Sequence, residues 1–258
     1  MKNFVKILSL AVLVFSSFFV GESKAVCEKI RIAYTDNWFP IAYDDGDKHG
    51  FGIALAVQKE MFQRLGISVE YIREIPWLRQ LAMVERGDID AMAALYFNDE
   101  RAGKFTYSEP FYTTTVHVYK RRNSALEYTQ LEDLIDYRGV ASRGASFGTD
   151  FDSFSEKNLN IHRVNGTEKI IQMLVKNRAD YMVLPRSLAL NLINKYNVSG
   201  TISQNGPPIT INNIHMAFSR KTECRAIVSK VNSTIVDMKA DGTLAELVEK
   251  QARLLGFN

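Results

Sequence analysis

A chain of 258 residues with 32 basic and 29 acidic side chains carries a formal charge of only +3, too little for the electrostatic footprint of a nucleic-acid or anionic-membrane binder. With 46% hydrophobic residues and no low-complexity run, the chain is globular and long enough for one large or two modest domains. The four histidines, His49, His117, His162 and His215, are scattered singly without paired ligand spacing, so no metal and no cofactor are expected.

Residues 1–25 read as a signal peptide. Lys2 and Lys6 give a positive start, Ile7 to Val20 an apolar centre, and Ser23-Lys24-Ala25 a small-x-small cleavage site. The apolar run is 14 residues, short of the ~20 that span a membrane. Cys27 lacks the small-residue context of a lipoprotein site, since Lys24-Ala25-Val26 precedes it. The mature protein is therefore expected free in an oxidising compartment, the periplasm. Removing the segment takes three lysines and one glutamate, leaving 29 basic against 28 acidic residues. Only Cys27 and Cys224 are present, and in an exported chain a pair is more often bridged than free. A Cys27–Cys224 disulfide is expected; two thiols out of bonding range are the alternative.

Ile30-Arg-Ile-Ala-Tyr34 alternates as a strand, and Thr35 to Pro40 turns out of it, which puts Asp36 and Trp38 at its carboxyl end. After Gly50-Phe51-Gly52, Ala54, Val57, Met61 and Leu65 fall on one helical stripe that Gly66 stops. Val69 to Ile72 is a strand, Pro76-Trp77 opens a helix that Gly87 closes, and Ile89 to Leu95 is a buried strand. This alternation predicts a parallel sheet with right-handed crossovers. Thr113 to Lys120 is extended and suits a connection between lobes. The pattern then restarts with a short helix over Leu131 to Tyr137, a strand over Gly139 to Ser142, and Gly144-Ala145-Ser146 turning into a helix. Thr167 is placed to N-cap the helix of Ile170, Ile171 and Leu174, which leads to the strand Tyr181 to Leu184. Pro207-Pro208 marks a break, and Ile214 to Ser219 is extended. A helix striped by Ile227, Val231, Ile235 and Met238 precedes a last helix with the capping box Thr243-Leu-Ala-Glu246. Met83 to Met92 and Leu174 to Met182 echo each other faintly, as two similar lobes would.

Asp99-Glu-Arg-Ala-Gly-Lys-Phe-Thr-Tyr-Ser-Glu-Pro-Phe-Tyr112 follows the buried strand Ile89 to Leu95 and puts Arg101 near its carboxyl end, where open α/β sheets bind ligands. A guanidinium forks two hydrogen bonds onto a carboxylate, which a lysine cannot do. With the aromatic turn at Trp38, the Gly50-Phe51-Gly52 helix start and Lys239-Ala-Asp-Gly-Thr-Leu-Ala245, this block resembles the bacterial extracellular solute-binding proteins of family 3, the periplasmic polar amino-acid receptors of ABC importers.

The resemblance implies a type II periplasmic-binding-protein fold of the α/β class, two lobes joined by a two-segment hinge. Residues 26–111 and 215–258 would form the first lobe, 116–209 the second, and 112–115 with 210–214 the hinge. It also implies a monomer that takes a small carboxylate-bearing ligand between its lobes and delivers it to an inner-membrane ABC permease. Carried over by position, Arg101 matches the carboxylate-binding arginine, Trp38 and Trp77 ligand-contacting aromatics, and Asp36 a side-chain contact. Gly144, Ala145 and Ser146 match the second-lobe helix start, where N–H groups and a hydroxyl meet the same carboxylate.

Three departures shape the expected ligand. The aspartate that usually holds the ligand's α-amino group is replaced by Pro185, followed by Arg186. Ala94, Tyr96 and Asn98 make a bulkier wall before the arginine. Ala145 replaces a hydroxyl residue, with Arg143 beside it. An ammonium closed into a cleft without a counter-charge is costly, so a carboxylate not anchored through a standard α-ammonium pair is implied.

Other readings compete. Gly144-Ala-Ser-Phe-Gly148 fits the G-x-S-x-G of serine hydrolases, and Asp180 and His215 follow in order. A dehydratase or lyase could use Arg101 to hold a carboxylate on the same fold. A binding protein could present itself to a sensor or chemoreceptor instead of a permease. Of these, binding without catalysis is the expectation carried forward.

Overall fold

In the computed structural model, residues 27–44 and 50–254 are described; the expected signal peptide and the histidine at position 49 lie outside them. Strand β1 (Lys29–Ala33) turns Ile30 and Ile32 into the core and leads to a small antiparallel sheet of β2 (Asn37–Trp38), β3 (Ala42–Asp44) and β4 (Gly50–Phe51). Helix α1 (Ile53–Leu65) buries Ala54, Val57 and Met61 and ends at Gly66, whose φ of 65° is left-handed and suits a residue without a Cβ. Next come β5 (Ser68–Ile72), α2 (Trp77–Arg86), β6 (Ala91–Tyr96), the short α3 (Asp99–Ala102) and β7 (Phe105–Tyr107). Strand β1 pairs in parallel with both β5 and β6, as strand–helix–strand units require.

Strand β8 (Tyr112–Arg121) carries the chain away, and a second α/β unit follows. It comprises β9 (Arg138–Ser142), α4 (Thr149–Asn158), β10 (Asn160–Val164), α5 (Thr167–Val175), β11 (Tyr181–Pro185) and α6 (Arg186–Lys195). Here β9 pairs in parallel with β10 and β11. The chain returns on β12 (Ile202–Ser219), then α7 (Val228–Ala240) and α8 (Thr243–Leu254) pack onto α1.

The main sheet therefore runs β10-β9-β11-β8-β12-β6-β1-β5, with β7 on β12. Its middle is the antiparallel ladder of β8 with β12, where Tyr112 to Val116 face Ile214 back to Thr210. The two segments expected to cross between lobes thus lie side by side. Cys27 and Cys224 are joined, tying the start of β1 to a 3-10 turn at Glu223–Ile227.

Several local expectations change. Pro207-Pro208 does not end a strand; it sits where the β8–β12 register shifts between Asn205 and Thr210, because proline has no N–H for the ladder. Leu131 to Leu134 is only a 3-10 turn. Helix α4 begins at Thr149, past the Gly144 turn. Thr167 is the first helical residue behind Gly166 and caps nothing. At α8 no capping box is needed: the Thr243 amide donates to Asp241 Oδ1 at 2.9 Å, and the Thr243 hydroxyl accepts from Arg64 Nη2 at 2.8 Å.

Candidate functional site

Between the two halves of the sheet lies a cavity of about 700 Å³, in the range that encloses small ligands. Its residues come from strand ends and helix starts, where an α/β sheet leaves room. Strand β1 stops at Ala33, so Asp36 and Trp38 reach the cavity from the following turn. Trp38 meets Tyr96 edge to face at 4.9 Å between ring centres. Pro76, with φ fixed at −55°, starts α2 and sets Trp77 at its first position. The Trp77 indole N–H donates to the Gly144 carbonyl at 3.0 Å.

Arg101 is placed by the turn before it. The Asn98 side-chain oxygen accepts from the Arg101 amide at 2.8 Å and caps α3, leaving Arg101 only 8% exposed. Its Nη2 donates to the Gly144 carbonyl at 2.9 Å and its Nη1 to the Tyr96 carbonyl at 3.4 Å. The guanidinium carbon lies 6.0 Å from the Trp77 ring centre. Burial lowers its pKa, opposed by Tyr107, Asp152 and Glu100, and an arginine stays charged through such shifts. Two of its five N–H donors are spent on carbonyls, and among the described residues no carboxylate pairs with it. A charged guanidinium fork can hold a carboxylate through two parallel hydrogen bonds.

The opposite wall comes from the second half. Arg143 is exposed at the rim, with Nη2 donating to the Arg163 carbonyl at 3.4 Å. Ala145 and Ser146 follow the left-handed Gly144. The Ser146 hydroxyl donates to Asp152. Val164, Leu184, Pro185 and Leu188 make this side apolar. Burial pushes the Tyr96 phenol far above its usual pKa, so it is neutral at pH 7.

Asp36, Trp38, Trp77, Tyr96, Arg101, Arg143, Ala145 and Ser146 are thus brought to one cavity. Ala94 is not: it is 5% exposed on β6 and packs in the core. Glu74, Val164, Asn165, Thr167, Leu184 and Leu188 were not singled out as site residues from the sequence, although Asn165-Gly166 is a turn signal at a strand end. The residues of the hydrolase alternative do not meet. Asp180 is bound to Arg138 at 2.9 Å, His215 Nδ1 contacts the Ser108 carbonyl at 2.7 Å, and Ser146 serves Asp152. Among the described residues no cluster of potential metal ligands occurs and no helix is long and apolar enough to cross a membrane.

Comparison with known proteins bears on the fold and the family. The L-cystine-binding protein TcyJ of Escherichia coli (strain K12) is 24% identical over 216 residues, covering 82% of this chain and 77% of the relative. The crystal structure of the P235GK mutant of ArgBP from T. maritima superposes with a TM-score of 0.74 at 17% identity, over 87% of this chain and 95% of that one. A histidine kinase sensor domain with similarity to periplasmic binding proteins gives 0.77 at 13% identity, over 88% and 96%. These structural likenesses establish the fold. The sequence profile of the bacterial extracellular solute-binding proteins, family 3, matches residues 30–252, and the chain belongs to that family.

Proposed function

We propose that this protein is a periplasmic solute-binding protein that captures a small carboxylate-bearing ligand, an amino acid or a related organic acid, and delivers it to an inner-membrane ABC permease. Its lobes are residues 26–111 with 215–258 and residues 116–209, and they close by bending at 112–115 and 210–214, the stretch where β8 and β12 run side by side. The observation that carries the reading is Arg101, buried against a cavity of about 700 Å³ with donors to spare. Trp38 and Trp77 offer flat surfaces for the rest of the ligand. Relatives named as an L-cystine-binding protein and as a probable amino-acid-binding protein support the ligand class.

Pro185 narrows that class. It is buried between Leu184 and the first turn of α6, and with Val164 and Leu188 it makes this wall apolar, with no counter-charge for a cationic amine on it, while Asp36 and Glu74 line the cavity elsewhere. The carboxylate held by Arg101, not an α-ammonium at the Pro185 wall, is the anchor in this reading. A melting screen of amino acids, their deaminated analogues, dicarboxylates and aromatic acids tests this. A ligand at 100 times its dissociation constant adds ~2.7 kcal/mol of stability. Deaminated analogues should stabilise the protein as well as the parent amino acids do. Tight binding of ordinary L-amino acids with none of their analogues would overturn the anchor assignment and point to Asp36 as the amine's partner.

A further inference from the structure

Two polar residues, Asn98 and Asp152, stand behind the cavity wall without lining it. Asn98 is 7% exposed and does not line the cavity. Its amide is divided between the two lobes. Oδ1 caps the turn that carries Arg101, while Nδ2 donates across the cleft to Ser146 Oγ at 2.9 Å and to Asp152 Oδ2 at 3.3 Å. An amide side chain offers an acceptor oxygen and a donor nitrogen on separate atoms at one end. Asp152, in the first turn of α4, accepts from the Ser146 hydroxyl and from the Phe147 amide at 2.9 Å. The carboxylate of the chain itself thus sits where the start of a helix favours an anion. Arg101 from one lobe and Arg163 from the other both feel its charge.

The same seam holds three more contacts. Trp77 and Arg101 both donate to the Gly144 carbonyl, and the Asp99 amide donates to Thr149 Oγ1 at 3.2 Å. Every one of these donors is on the first lobe and every acceptor on the second.

We infer that Asn98 and Asp152 are positioning residues that couple closing of the lobes to the setting of Arg101. When the lobes meet, Asn98 Nδ2 finds Ser146 and Asp152, and the cap it forms on Arg101 is locked in the same step. When they part, Asn98 loses its partners and the turn bearing Arg101 is held by one hydrogen bond fewer. Asp152 already occupies the Ser146 hydroxyl and the Phe147 amide just ahead of α4, which leaves these two donors engaged within the chain. The inference rests on the reading of Arg101 as the ligand anchor, so its test is made without ligand and separates the two.

Ligand-free protein is compared with Asn98→Asp, Asp152→Asn, the double exchange and Asp152→Ala, by solution scattering and tryptophan emission. Trp77 reports closure through its bond to Gly144. Asn98→Asp keeps the cap acceptor but removes the donor and faces Asp152 with a like charge. It should raise the radius of gyration and red-shift the emission while circular dichroism stays unchanged. The double exchange restores a donor facing an acceptor with the partners swapped, and should return both readings most of the way to the parent. Asp152→Ala should also open. A purely structural role gives additive losses in the exchange pair. If Asn98→Asp stays as compact as the parent, or the double exchange is no more closed than the more open single variant, the coupling is refuted whatever Arg101 binds. If Asp152→Ala fails to fold, the exchange pair still decides.

Discussion

Replacing Arg101 with alanine should weaken ligand binding severely while sparing the fold. The two carbonyls that Arg101 serves each keep another donor. Gly144 O retains the Trp77 indole at 3.0 Å, and Tyr96 O retains the Tyr107 hydroxyl at 3.3 Å. Truncation therefore strands no acceptor that would cost the ~1–3 kcal/mol of an unsatisfied buried group. What is lost is the charged fork facing the cavity. Removing one partner of a desolvated, hydrogen-bonded charge pair costs roughly 2–5 kcal/mol, much of it the cost of leaving the ligand's carboxylate buried and unpaired. At ~1.4 kcal/mol per decade, the dissociation constant should rise about thirtyfold to several-thousandfold. Arg101→Lys keeps the charge but not the fork, and should fall between. Isothermal titration with the best ligand from the melting screen measures all three proteins. Unchanged affinity in a folded Arg101→Ala variant would refute the reasoning.

Three further outcomes follow from packing and charge. Reducing the Cys27–Cys224 bridge, which spans 197 positions, should lower stability by on the order of 5 kcal/mol in the chain-entropy model, read from urea unfolding with and without reductant; two thiols freely alkylated in the native protein would dismiss the bridge itself. Gly206→Ala should destabilise far more than Gly66→Ala. Both glycines are left-handed, which costs a substituted residue ~1–2 kcal/mol, but a Cβ at position 206 would come within 2.0 Å of the Tyr128 carbonyl, whereas position 66 is open. Equal losses in the two variants would contradict this packing. Asp241 is held down to a pKa of about 2 by the Thr243 hydroxyl and amide and by Arg64. Its contribution is full above about pH 4 and is lost as the pH falls towards 2, so the melting-temperature gap between parent and Asp241→Asn should close over that window. A gap that stays constant down to pH 2 would show that the contacts do not depend on the carboxylate's charge.

Much of this was legible in the sequence because local signals and tertiary demands agree. Gly66 and Gly87 end helices as their position after an apolar stripe announces, and Pro76 sets Trp77 where it opens α2. Arg101 could be found because it stands just past a wholly apolar strand. Ala94 could not be assigned a face for the same reason: every residue of β6 is buried, so alternation carries no information about which side meets the cavity. Pro207-Pro208 reads locally as a terminator, but the neighbouring strand tolerates a register shift and lets the chain continue. The link from Asn98 to Asp152 joins positions 54 residues apart, and no spacing rule reports it. Such cross-lobe contacts exist only once both α/β units are folded and brought together.

Native mass spectrometry of freshly purified protein tests the central claim most directly, because it weighs whatever the cavity holds. One small molecule per chain is expected, its fragments showing a carboxylate, and the same preparation of Arg101→Ala should be empty or nearly so. An occupant without a carboxylate, or one retained in full by Arg101→Ala, would contradict the assignment of Arg101 as the anchor.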